Sequence, residues 1–397
     1  MIYVDTNPPD IIRKVLIDNI VYILKFVYIS FNKKLKEYKQ IFIIKEMADN
    51  LAVTYQKKTD REHILDTPDT YIGSIEEDEI PGWELDDESK MVWGKIKIVP
   101  GLYKCFDEGV VNARDHYIRL QEKIKNGDKT ITPVTAIDIS VDMKTGIITI
   151  INNGDGVDVA MHPEHNIWIP EMIFGHLRTS TNYKKDEKKI VGGKNGFGFK
   201  LVLIYSSWGM IETVDSYRGL KYTQEFKDNL SVICKPKIRK SQHAPYTKVS
   251  FLLDYKRFGL EKLTPDMFNI IRKRTFDIAA VTDKTVRVRW NRRAVAVRSF
   301  ENYIDCYIGK KTKNPRIYEK GGARWEYVVC LSPLDEFTQV SFVNGIHTKK
   351  GGKHVEYILN QIIKKLIIYI EKKKKVRVKP ATIKEQLMLF VNLINCI

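Results

Sequence analysis

Apolar and polar residues alternate over 136–141, and 146–151 runs largely apolar, with Lys144-Thr145-Gly146 between the two. Two strand-like runs on either side of a turn tripeptide predict a β-hairpin. Upstream the apolar spacing is helical instead. Phe106, Val110, Val111 and Tyr117 mark one stripe of a helix over 102–124, which Asn126-Gly127-Asp128 ends. Pro100-Gly101 separates that helix from a strand-like run over 90–100. Residues 170–177 read as a short helix, 179–189 as a polar loop, and 199–205 as a helix opened by a glycine-rich segment. Strands are expected over 210–214, 221–226, 230–234 and 248–253. Leu263-Thr264-Pro265 reads as a domain boundary. Beyond it come a basic amphipathic helix over 266–278, strands over 285–290, 325–331 and 339–343, and a long helix over 354–371. A last helix over 382–394 has no capping residue, which is read as the chain stopping inside a domain. No internal repeat is present.

The N-terminal stretch changes this picture little. Residues 15–31 are apolar enough to raise a membrane segment, but Asp18, Asn19 and Lys25 interrupt the run. It also falls short of the roughly 20 residues a span takes. No small-residue cleavage site follows, and the next stretch is lysine-rich, which argues against a signal peptide. Met47 opens a segment of different character, so residues 1–46 are read as an extension, with a buried or partner-binding helix as the alternative. At 397 residues the chain has room for two domains, read as 47–264 and 265–397. The balance of 66 Lys+Arg against 49 Asp+Glu gives +17, which favours polyanion partners and says nothing about fold. The five cysteines are scattered and form no C-x-x-C pair. That pattern excludes a disulfide framework or structural zinc site and suits a reducing compartment.

Candidate chemistry gathers in three places. Gly192-Gly193-Lys194-Asn195-Gly196-Phe197-Gly198-Phe199-Lys200 holds four glycines and a closing lysine. Glycine allows φ > 0 and leaves backbone N–H groups bare, so such a segment can cradle phosphate or be a flexible turn. The spacing is not a Walker A loop, because Phe197 stands where its second glycine belongs, nor a kinase G-x-G-x-x-G. Glu108 and Asn112 are four apart on the predicted helix and share a face, with Asp115 nearby. A carboxylate can orient water and a carboxamide can offer oxygen to Mg2+. Asn152-Asn153-Gly154-Asp155-Gly156 ends a strand; it suits contact with an adenine amino group, or is a plain Asx-Gly turn. Thr179-Ser180-Thr181-Asn182 supplies hydroxyls suited to ribose and phosphate.

Taken in order, these elements resemble the ATPase fold shared by type II topoisomerases, a large heat-shock chaperone, mismatch-repair ATPases and sensor histidine kinases. The resemblance implies an α+β fold: a two-layer α/β sandwich of the GHKL (Bergerat) type, followed by a truncated α/β transducer domain. The segments beginning at Tyr55, Val99, Pro170 and Gln339 are similar to eukaryotic-type DNA topoisomerase II, and the likeness runs from Tyr55 almost continuously to the C-terminus. It implies that Glu108 is the general base for the attacking water and Asn112 the Mg2+ ligand. Asn152 and Thr213 would contact adenine, and Ser180, Thr181 and Asn182 ribose and phosphates. Gly193, Lys194, Asn195, Gly196, Phe197, Gly198, Phe199 and Lys200 would wrap the triphosphate of ATP. Tyr55 would lie on a strap reaching the partner subunit's nucleotide, and Lys372, Lys373 and Lys374 would sense double-stranded DNA. A homodimer joined through strap and ATPase domain is implied, with the DNA-cleavage core on a further C-terminal region and no membrane association. The setting would be the nucleus, or a viral factory or host nucleus for a viral protein.

Three positions depart from the family pattern. His116 replaces an asparagine, Gly109 an aliphatic residue after the proposed base, and Phe199 a small residue beside the phosphate lysine. A glycine in mid-helix costs roughly 1 kcal/mol relative to alanine. The lysine of the family's Gln-Thr-Lys loop would lie past Ile397, which implies weak turnover for this chain alone. The alternative reading is a clamp of the same fold that binds ATP, dimerises and does not hydrolyse it.

Overall fold

The structure, a computed structural model, describes residues 8–394 apart from Gln56, Arg178, residues 180–197 and Ala323. The chain divides between Thr59 and Asp60 into two units. The first holds one helix, α1 (Pro8–Thr54), which runs through Met47 without a break. The sequence boundary at 46/47 is therefore not a boundary between elements. Among the described residues no helix is long and apolar enough to cross a membrane.

The second unit opens with short helices α2 (Asp60–Asp66) and α3 (Pro68–Tyr71), then the hairpin β1 (Asp78–Leu85) and β2 (Met91–Ile98). Pro81 and Gly82 hid the first of these strands from the hydrophobic pattern. Helix α4 (Pro100–Lys125) starts with proline at N1 and ends with Lys123 and Lys125, which complement the helix dipole. It packs on the hairpin β3 (Ala136–Val141) and β4 (Ile148–Asn153), where every second residue is buried, as alternation predicts. Helices α5 (Ile169–Gly175) and α6 (Gly198–Ile204) precede β5 (Ser206–Asp215), β6 (Leu220–Lys227), β7 (Val232–Ile233), β8 (Lys237–Lys240) and β9 (Tyr246–Leu253). The strand expected over 230–234 shrinks to β7 because Asp228, Asn229 and Leu230 all take positive φ.

Helix α7 (Pro265–Ala280) is capped by Thr264, whose hydroxyl accepts from Met267 N. Strands β10 (Arg287–Trp290) and β11 (Arg293–Ala294) follow, and β10 pairs in parallel with β3. The segment after 264/265 thus completes the first sheet. Helix α7 is the expected amphipathic helix, with two of its basic residues turned inward. Lys273 and Arg274 are buried on it, paired with Asp277 and Asp107. Among the described residues the first large sheet has nine strands in the order β11-β10-β3-β4-β9-β5-β6-β7, with β8 on β6.

The remaining elements are α8 (Phe300–Ile308), β12 (Arg316–Gly321), β13 (Trp325–Leu331), β14 (Thr338–Val343), β15 (Ile346–His347), α9 (Lys353–Lys374), α10 (Pro380–Glu385) and β16 (Leu387–Leu393). They form a second sheet ordered β12-β13-β16-β14-β15. The expected last helix over 382–394 is wrong beyond Glu385: residues 387–393 are the middle strand of this sheet. Met388 and Phe390 face the main core, while Leu387, Leu389 and Val391 face a separate core under α9. A strand buried on both sides reads as a continuous apolar run and mimics a buried helix.

Candidate functional site

Helix α4 places Glu108, Asn112 and His116 on one face, four residues apart, and that face walls a cavity of about 1260 Å³. Opposite lie Gly198, Phe199 and Lys200 at the start of α6, and Asn152 and Gly156 from the end of β4 and the turn after it. The pleat explains Asn152: it shares the buried face of β4 with Ile148 and Ile150.

Glu108 is ion-paired with Lys104, one turn back on α4. A Cβ at Gly198 would overlap Glu108 Oε2 and lie 3.8 Å from Asn112 Nδ2. The glycine there lets the carboxylate and carboxamide come against the backbone of α6. Lys200, two residues on, is buried, and its ammonium donates to the Thr179 carbonyl. Burial lowers its pKa to about 8, so a partly dehydrated cation stands in the cavity wall. Such a group gains most from an incoming anion.

The turn after β4 is built for close approach. A Cβ at Gly156 would overlap the Val214 carbonyl oxygen and lie 2.7 Å from Thr213 Oγ1. Thr213 is fully buried one layer behind the wall; its hydroxyl accepts from Val157 N at 2.9 Å and bonds Thr247 Oγ1 at 3.0 Å. Thr247, which sequence reasoning missed, is the member of that pair that lines the cavity. Asn153 faces the other way and anchors Thr135 N and Ala136 N. His116 donates from Nε2 to the Asp155 carbonyl at 2.6 Å. Burial foremost, with Arg119 adding to it, lowers its pKa to about 4, so it serves as a neutral donor to the turn. Asp115 is buried and does not line the cavity.

The departure at Gly109 is explained by a neighbour on β4. A Cβ at Gly109 would lie 2.8 Å from Ile150 Cδ1 and 3.6 Å from Phe199 Cε2. Phe199 fills the space beside that glycine, edge-on to Phe174 at 5.4 Å and to Phe251 at 6.0 Å. The side chain missing from α4 and the Ile150 methyl are a volume exchange across one contact, with Phe199 in ordinary contact beside it.

Other expected site residues fall elsewhere. Ser180, Thr181, Asn182, Gly193, Lys194, Asn195, Gly196 and Phe197 lie outside the described residues. Tyr55 is exposed and belongs to the first unit. Lys372, Lys373 and Lys374 form the last turn of α9 and take no part in the cavity wall. Among the described residues no group of three or more His, Cys, Asp or Glu side chains could hold a metal. Asn112 beside Glu108 still suits Mg2+, which commonly takes one or two protein oxygens and completes its shell with phosphate and water.

A family model described as DNA gyrase B matches residues 297–395. The DNA topoisomerase 2 of Acanthamoeba polyphaga mimivirus is 44% identical over 347 residues, covering 85% of this chain and 26% of that protein. That of Saccharomyces cerevisiae is 40% identical over 357 residues, covering 85% of this chain and 24% of that protein. The chain thus spans about a quarter of the length of these relatives. The crystal structure of the ATPase region of yeast topoisomerase II matches with a TM-score of 0.77 at 40% identity, covering 86% of each chain. The 43K ATPase domain of Thermus thermophilus gyrase B, at 17% identity and a TM-score of 0.52, shares the fold.

Proposed function

Because the chain belongs to the DNA topoisomerase II family and corresponds to that family's ATPase region, we propose that it binds and hydrolyses ATP as a gate that drives passage of one duplex through another. The observation that carries this reading is Glu108 and Asn112 set against glycine-started α6, with Lys200 two residues on. Adenine would enter against Asn152 and the Gly156 turn, with Thr247 and Thr213 behind. The phosphates would lie toward Lys200, whose ammonium carries the charge that suits them. Asn112 would hold Mg2+, which supplies charge neutralisation on the phosphates. Glu108 orients a water, accepts its proton as the oxygen attacks the terminal phosphorus, and the bond to the bridging oxygen breaks to leave ADP and phosphate.

The same reading assigns Ser180, Thr181, Asn182 and the glycine segment to ribose and phosphate contacts, and Tyr55 to a second copy of the chain in a homodimer. Lys372, Lys373 and Lys374 are exposed with no carboxylate partner given to them among the described residues, and would contact DNA phosphates. Replacing all three with alanine should reduce the salt dependence of duplex binding by up to about three counterions.

Hydrolysis by Glu108→Gln is the direct test. Loss of a general base lowers the rate by about 10²–10⁴-fold while nucleotide binding stays. A rate equal to the parent chain's would sink the assignment of Glu108 as the base, and no turnover by the parent itself would favour a clamp that binds ATP without hydrolysing it.

A further inference from the structure

Asp107 is the residue before Glu108, and its carboxylate does not face solvent. Arg274 Nε donates to Asp107 Oδ1 at 2.6 Å, and Arg274 Nη2 donates to the Gly345 carbonyl at 2.8 Å. One fully buried guanidinium therefore bridges α4 to the turn between β14 and β15 of the second sheet. A second bridge lies two residues beyond Asn112. Arg114 Nη1 donates to the Asn344 carbonyl at 2.9 Å, while its Nε and Nη2 hold the Val281 carbonyl at 3.2 and 3.1 Å.

The turn is shaped for these contacts. Asn344 and Gly345 both take positive φ, and a Cβ at Gly345 would lie 2.6 Å from the Arg114 guanidinium. The next residue, Ile346, lines the cavity. The second sheet thus reaches the site by a side chain and by two arginines that bracket Glu108 and Asn112. The network is also one bond short: Arg274 Nη1 is buried with no hydrogen-bond partner among the described residues. A buried donor left open is costly. Packed contacts of this kind favour discrete alternative arrangements over gradual deformation.

We infer that Arg274, with Arg114, is a positioning residue that ties the Asn344-Gly345 turn to the base-bearing helix, so that displacement of the second sheet registers at Glu108. The inference rests on reading Glu108 as the base.

The test is single-turnover ATP hydrolysis with the chain in excess, beside binding of a non-hydrolysable ATP analogue and thermal unfolding. Arg274→Lys keeps a cation beside Asp107 but lacks the fork that reaches Gly345 at the same time. Asp107→Leu combined with Arg274→Met removes both charges and is expected to fold, since an apolar replacement of a whole buried pair is often tolerated. Each should slow hydrolysis by about tenfold or more while analogue affinity stays within about threefold. A rate within about threefold of the parent in either folded variant overturns the inference. So does a parallel loss of rate and affinity, which marks a purely structural role. If the double variant does not fold, Arg274→Lys decides. Glu108→Gln separates the two levels: if it hydrolyses normally, the base assignment fails and takes the linkage with it. If it is inactive while the arginine variants are not, only the linkage fails.

Discussion

The nine-stranded sheet buries one face of β3 and β4, whereas the five-stranded sheet buries both faces of β16. In the first, side chains alternate between a helix-covered core and a half-exposed surface, and the last inward position of β4 is free to carry Asn152 to the cavity. In the second, Leu387 to Val391 of the middle strand form a wall between two hydrophobic cores, and its one polar residue, Asn392, is spent on a hydrogen bond to Glu326. The one-sided sheet can bear a site at the ends of its strands. The two-sided one shares a core with the first, and the buried arginines of α4 and α7 bond its β14–β15 turn.

The largest expected effect tests that contrast directly. Phe390→Ala, at a fully buried position of β16, should cost about 3–5 kcal/mol. Ser140→Ala on the half-exposed face of β3 should cost less than about 0.5 kcal/mol. Urea unfolding followed for both proteins would erase the distinction if the losses came out equal.

Next in size, Gly156→Ala places a methyl group against the Val214 carbonyl and must push the turn into the cavity or away from β5. Calorimetric titration with the ATP analogue should show affinity weakened about thirtyfold, roughly 2 kcal/mol, with unfolding far less affected. An unchanged affinity would mean the turn does not meet the base.

Proton linkage at Lys200 comes third. Its pKa is lowered to about 8 by burial, and bound phosphate raises it again, so binding takes up a proton above that pH. Analogue affinity should be level below pH 8 and then fall by up to about tenfold per pH unit, and Lys200→Met should flatten the profile. For stability the sign is the usual one for a lysine with a depressed pKa. The unligated fold is destabilised as pH falls from the ordinary lysine range toward 8, and the penalty then stays constant at lower pH.

The smallest effect concerns Gly109. Alanine there gains about 1 kcal/mol of helix propensity but meets the Ile150 methyl at 2.8 Å. Gly109→Ala alone should be close to neutral or slightly destabilising. Adding Ile150→Val, which removes that methyl, should recover about 0.5–1 kcal/mol as a coupling energy in a double-mutant cycle. Strict additivity would break the volume exchange assigned to this contact.

Which parts could be read from the residues follows from the same contrast. Alternation exposes a strand when one face is wet, so β3 and β4 were legible, and the stripe of α4 delivered Glu108, Asn112 and His116 together. β16 was taken for helix because its two cores leave no polar phase. The ion pair of Asp107 with Arg274 joins residues 167 apart, and nothing in either neighbourhood announces the other. The basic amphipathic pattern of α7 did not reveal that Lys273 and Arg274 are buried with Asp277 and Asp107. Gly109 looked like a defect until the Ile150 methyl was seen to occupy its missing volume.

The position of β16 has a consequence for biogenesis. It leaves the ribosome after β12, β13, β14 and β15, yet it sits between β13 and β14. Until it arrives, the nascent second sheet is two separate hairpins, each presenting an open edge and an uncovered apolar face. Synthesis stalled before Leu387 would leave a nearly complete first sheet beside adhesive halves of the second. Chaperone dependence and co-translational misassembly should concentrate in that interval, and end when one short apolar strand slots home.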